Sequence, residues 1–155
     1  MKYWIGIDPG ASGAMCVLNE DNQLFFYDFK SGKIPNYSSL LRTHTTTFPE
    51  DPIVMIGLEK VSAMPGQGVK SMFSFGQRLG ELEGMLQTLK LGYDMIRPLQ
   101  WQKACGVKPK SGKQGIYETV SKLYPDASLH GPKGGLIDGR CDALGIAHYI
   151  RKTYP

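Results

Sequence analysis

The apolar positions of the chain change their period several times, and each change marks an element. Residues 3–8 (YWIGID) form a short apolar run that stops at Pro9-Gly10 and reads as a strand. Residues 14–18 and 24–29 repeat the pattern on either side of a polar turn at 19–22, so residues 3–29 read as a three-strand meander. Residues 37–47 suggest a helix, a poor one because threonines crowd its end. Residues 53–58 (IVMIGL) are an unbroken apolar run, the mark of a strand covered on both faces. Residues 62–70 (SAMPGQGVK) are a Gly/Pro loop. Met72, Phe75, Leu79, Leu82, Leu86 and Leu89 then recur at helical spacing over about 69–90.

The remaining elements are shorter. A strand is expected at 93–97, a short helix at 100–105, a basic loop at 107–113 (VKPKSGK), a helix at 115–123 and a loop at 130–135. A last helix covers roughly 138–152, with Cys141, Leu144, Ile146, Ala147 and Ile150 apolar. A meander followed by crossover-linked parallel strands predicts an α/β fold: a mixed five-stranded sheet flanked by helices. That is the element order of an RNase H-like fold.

Composition narrows the setting. With 155 residues, 41% of them apolar and 21% charged, the chain suits one folded domain, expected to be 1–155. The net charge of +4 favours an anionic partner such as nucleic acid. Cys16, Cys105 and Cys141 lack paired or zinc-like spacing and are expected as buried free thiols of a reducing compartment. No signal-like N-terminus is visible, and no apolar run approaches the roughly 18 residues of a membrane span. The expectation is a cytoplasmic protein without a membrane partner.

Carboxylates carry the candidate chemistry. The strands at 3–8 and 53–58 each run into an acid, Asp8 and Glu59. If the strands are neighbours, these acids project side by side. Asp138 and Asp142, four residues apart, share one face near the start of the last helix. Crowded carboxylates repel and raise one another's pKa, which divalent cations relieve, and hard oxygen ligands suit Mg²⁺ or Mn²⁺. Two such ions about 4 Å apart can activate a water and stabilise the leaving oxygen in phosphodiester hydrolysis. Taken singly, each acid has a plainer role: Asp8 as a turn former, Glu59 as a solvated strand end, Asp138 as a helix N-cap. Asp142 is harder to place that way, because it sits within the apolar CDALGIA.

The segments GIDPGASGA (6–14), IGLEKV (56–61), SFGQRLGELEGML (74–86) and DALGIA (142–147) resemble, in order, the RuvC-type Holliday-junction resolvases. The likeness is to compact, phage-like members. It implies an RNase H-like fold and a homodimeric, Mg²⁺-dependent endonuclease that makes paired cuts in four-way DNA junctions, leaving 5′-phosphate and 3′-hydroxyl ends. It also implies that Asp8, Glu59 and Asp142 are catalytic metal ligands, and that Lys113 lies near the scissile phosphate. The family's fourth acid sits three residues before the last one. Here that position is Gly139, and Asp138 takes its place one residue earlier. An aromatic that some members carry three residues after the strand acid is replaced by Ser62, leaving Met64 or another residue of the 62–70 loop as any junction wedge.

Around these lie candidate phosphate contacts: Lys103, Lys108, Lys110 and Lys113 with Arg97 and Trp101, extended by Lys60, Lys70 and Arg78. A solvated lysine loop is the plainer alternative. Arg140 is read as a surface charge, and His44, His130 and His148 as structural. Gly76, Gly80 and Gly84 form a stripe expected to pack within the fold or at a dimer interface. Competing functions are an RNase H acting on RNA–DNA hybrids, a non-catalytic junction binder, and an actin-like ATPase. The last needs two such domains, so no nucleotide cofactor is expected.

Overall fold

A computed structural model describes residues 1–30, 36–47 and 49–155. Its elements are β1 (Tyr3–Asp8), β2 (Ala14–Asn19), β3 (Leu24–Asp28), α1 (Tyr37–Thr47), β4 (Ile53–Glu59), α2 (Val69–Thr88), β5 (Tyr93–Ile96), α3 (Pro98–Cys105), α4 (Gly112–Leu123) and α5 (Asp138–Thr153). The five strands form one sheet in the order β3-β2-β1-β4-β5. β1 runs antiparallel to β2 and parallel to β4, and β5 is parallel to β4. This is the mixed sheet expected from the pattern of the chain.

The strand period divides the core in two. Ile5, Ile7, Ile56 and Leu58 point to one face, where they meet Leu82 and Leu86 of α2 and Tyr37 and Leu41 of α1. Trp4, Gly6 and Asp8, with Gly57 and Glu59, take the alternate positions and face α5. Gly6 and Gly57 are direct register partners. A Cβ on Gly6 would lie 2.1 Å from the Ala143 carbonyl oxygen, and one on Gly57 would lie 2.6 Å from side-chain atoms of Ile146 and Ile150. The two central strands therefore form a shallow trough for α5. That helix answers with small residues, Gly139, Ala143, Gly145 and Ala147, all buried.

Several expectations are revised. α3 begins at Pro98, because proline suits the first helical position and the Gln100 side chain accepts the Arg97 N–H at 2.9 Å. α4 begins at Gly112, so Lys113 lies in a first helical turn, not in a loop. Asp138 is not the N-cap of α5: Ile137 takes that position, and Asp138 is in the first turn. Among the described residues, nothing lies within 4 Å of a Cβ on Gly76, Gly80 or Gly84, so the stripe does not pack against them. Arg140 is a structural tie, bonded to both Asp28 carboxylate oxygens at 2.8 and 2.7 Å and to the Ser128 carbonyl at 2.7 Å. The three cysteines are free and buried. Burial pushes the Cys105 and Cys141 thiols up to about 12, leaving neither as a thiolate nucleophile near neutrality. Among the described residues, no helix is long and apolar enough to cross a membrane.

Candidate active site

The register brings Asp8 and Glu59 together. Ile7 pairs with Leu58, so the two acids are the next residues of adjacent parallel strands and share a face. They lie one step past the Gly6–Gly57 trough. The same close approach that seats α5 therefore brings Asp142, one residue before Ala143, to the strand ends. Asp138, one turn earlier, lies beside it.

Electrostatics reports the crowding. Burial raises the Asp142 carboxyl to about 8, helped by the charges of Asp8, Glu59 and Asp138 and opposed by Lys113. Glu59 is 6% exposed. Burial and then the Asp8 charge lift it to about 7, against the Trp101 hydrogen bond. Asp8 is also raised, first by burial and then by Asp138, while the Gly10 N–H, Arg78 and Lys113 pull it back. Each of these shifts favours the neutral acid. A cation at the cluster would favour the charged one.

The turn after β1 is tightly built. Gly10 donates its N–H to Asp8 Oδ1 at 3.0 Å, and the Gly13 N–H bonds the Gly10 carbonyl at 3.0 Å. Arg78, reaching from α2, donates to the Pro9 carbonyl at 3.2 Å, tying the turn to the opposite layer. Gly139 explains the shifted fourth acid. A Cβ there would lie 2.2 Å from the Ser12 carbonyl oxygen. That position is closed to any side chain, and Asp138 is the nearest acid of α5 that can face Asp142.

Lys113 reaches Asp138 with Nζ–Oδ2 at 2.7 Å. Its side chain is 77% exposed, so the pair contributes little stability. The Asp138 bond is the main reason the lysine holds its proton more tightly than usual. Lys60, Lys70, Lys103, Lys108 and Lys110 are exposed, as is Met64. Trp101 is a correction: it is fully buried and lies against no solvent-facing phosphate path. Its indole instead donates to Glu59 Oε2 at 2.7 Å. Flanking Gln100, Gln102 and Lys103 make its segment look like surface, and only the apolar Cys105 one turn later hints at a buried stripe. Beside the site, a cleft of about 540 Å³ opens between the segment after Glu59 and α2, with Val61, Ser62, Gln67, Met72, Phe75 and Arg78 on its walls.

Among the described residues, no three ligand-capable side chains already surround one point as a coordination shell would. By chemistry the donor set fits a hard divalent cation: four carboxylates, all oxygen, from three elements, with Asp8, Glu59 and Asp142 destabilised when charged.

No family model and no curated protein matches the chain. Solved structures do. RuvC of Thermus thermophilus in complex with Holliday junction substrate aligns with a TM-score of 0.64 at 13% identity, over 96% of this chain and 94% of that one. A second Thermus thermophilus RuvC structure aligns at 0.57 and 17% identity, over 97% and 96% of the two chains. The chain has the RNase H-like fold of RuvC.

Proposed function

We propose that the chain is a RuvC-type resolvase: a divalent-cation-dependent endonuclease that cuts Holliday junctions and related branched DNA. The observation that carries the proposal is the meeting of Asp8, Glu59 and Asp142 at one end of the sheet, with raised proton affinities, on the fold of RuvC. Asp8, Glu59, Asp138 and Asp142 would hold Mg²⁺ or Mn²⁺. Such ions, when bound, supply an activated water and neutralise charge on the leaving 3′-oxygen. The chain's own part is to keep these acids on rigid backbone, dry on the α5 side and open at the strand ends. Lys113, on the first turn of α4 and paired with Asp138, would meet the scissile phosphate. The exposed Lys60, Lys70, Lys103, Lys108 and Lys110, with the partly exposed Arg78, would follow the DNA backbone, and Met64 is a candidate junction wedge. The products would carry 5′-phosphate and 3′-hydroxyl ends.

Paired symmetric cuts call for two active sites, hence a homodimer. The exposed stripe of α2 supports one. Val69 is 86% and Phe73 73% exposed, and the open glycines 76, 80 and 84 continue the same helix.

The test is cleavage of a labelled four-way junction in Mg²⁺, beside linear duplex and an RNA–DNA hybrid, with Asp8→Asn as control. Paired nicks at the junction, lost in Asp8→Asn, are expected. Cutting of the hybrid alone would make the protein an RNase H. Junction binding without cleavage in Mg²⁺ or Mn²⁺ would make it a binding protein.

A further inference from the structure

The Glu59 carboxylate is buried, yet only one of its oxygens has a protein donor. Trp101 Nε1 takes Oε2 at 2.7 Å. No donor among the described residues takes Oε1, and no buried side-chain oxygen there lacks a partner, so Oε1 reaches solvent. The indole itself cannot turn. A Cβ on Gly145 would lie 2.5 Å from two of its ring carbons. The ring is fully buried, in one core cluster with Ile96, Ile146 and Ile150. Gly145 stands three residues after Asp142, on the same helix. One rigid ring therefore touches both the helix that carries Asp142 and the carboxylate that ends β4.

We propose that Trp101 is a positioning residue for the reaction, holding Glu59 by Oε2 so that Oε1 alone is presented to the acids of β1 and α5. This rests on the reading of those acids as cation ligands. A carboxylate tied in this way offers a single oxygen in a fixed direction and loses little freedom when a cation arrives.

Trp4 is a built-in control. It is the only other tryptophan, it is buried, and its indole donates to the Tyr154 carbonyl at 2.6 Å, with no acid involved. The experiment is calorimetric Mn²⁺ titration of the full chain as wild type, Trp101→Phe and Trp4→Phe. Trp101→Phe should lose about 10- to 100-fold in affinity, while Trp4→Phe matches wild type. In wild-type ¹H–¹⁵N spectra, Mg²⁺ should move the Trp101 indole resonance and leave that of Trp4 in place. This second readout stands even if Trp101→Phe fails to fold. Unchanged affinity in Trp101→Phe, equal losses in both variants, or an unmoved Trp101 resonance at saturating Mg²⁺ would overturn the inference alone. No cation binding by the wild type would overturn the functional reading and the inference with it.

Discussion

The two faces of the sheet are built by different rules. On the α5 face, backbone meets backbone: the Gly6–Gly57 trough receives a helix of small residues, and neither strand glycine has room for a methyl group. On the α2 face, contact runs through large side chains, chiefly Leu82 and Leu86, while Val69 and Phe73 stay exposed and three glycines look onto open space. Close packing transmits displacement, whereas side-chain contacts can repack. The candidate catalytic acids all belong to the first face. The candidate DNA and dimer contacts of α2 belong to the second. Carboxylates that share cations need sub-ångström placement, and a surface meeting a bent DNA substrate does not.

Breaking the comparison is simplest at the trough. Gly57→Val places branched carbons where 2.6 Å is already filled, and should cost about 3 kcal/mol or more, enough to leave much of the protein unfolded by denaturant titration. On the other face Leu82→Ala should cost about 2–5 kcal/mol, an ordinary cavity loss, and the folded fraction should still cut DNA.

A third effect sharpens the contrast through pH. The folded carboxyls of Asp142 and Glu59 sit near 8 and 7, above their ordinary 3.8 and 4.5. The folded state therefore binds these protons more tightly than the unfolded state. Their contribution is full below the ordinary values and is lost as pH rises through the folded ones. Metal-free protein should lose on the order of a few kcal/mol between those limits. Asp142→Asn should flatten that decline in chelator while abolishing cleavage, and Mg²⁺ should restore stability to the wild type at the alkaline end. Thermal melts across pH, with and without Mg²⁺, check both statements.

The smallest effect has the opposite sign to the first. Gly80→Ala adds a methyl group to an exposed helix interior with nothing nearby, and should stabilise the monomer by about 0.5–1 kcal/mol. Dilute samples melted beside Gly57→Val would show one residue type doing opposite things on the two faces.

What could be read along the chain follows the same division. The bounds of β1 and α1, and the strand at 53–58 running into Glu59, follow from periodicity and turn residues, because those are properties of one element at a time. The placing of Asp8 and Glu59 side by side is legible wherever β1 and β4 are neighbours, as they are in the sheet. Trp101 reads as a surface residue because its flanking Gln100, Gln102 and Lys103 describe a surface segment, whereas it packs on Gly145, forty-four residues away. The α2 glycines were expected to pack because their spacing matches close helix contact. Spacing cannot say whether anything stands opposite. The shift of the fourth acid to Asp138 was visible as a departure, and its reason was not: it lies in the Ser12 carbonyl pressed against Gly139.

The central claim is that Asp8, Glu59, Asp138 and Asp142 are one cation site. Anomalous diffraction from crystals soaked in MnCl₂ tests it most directly. The account predicts manganese peaks at the ends of β1 and β4, among Asp8, Glu59, Asp138 and Asp142, and absent in Asp8→Asn. Manganese bound elsewhere, or peaks at that site that survive Asp8→Asn unchanged, would contradict it.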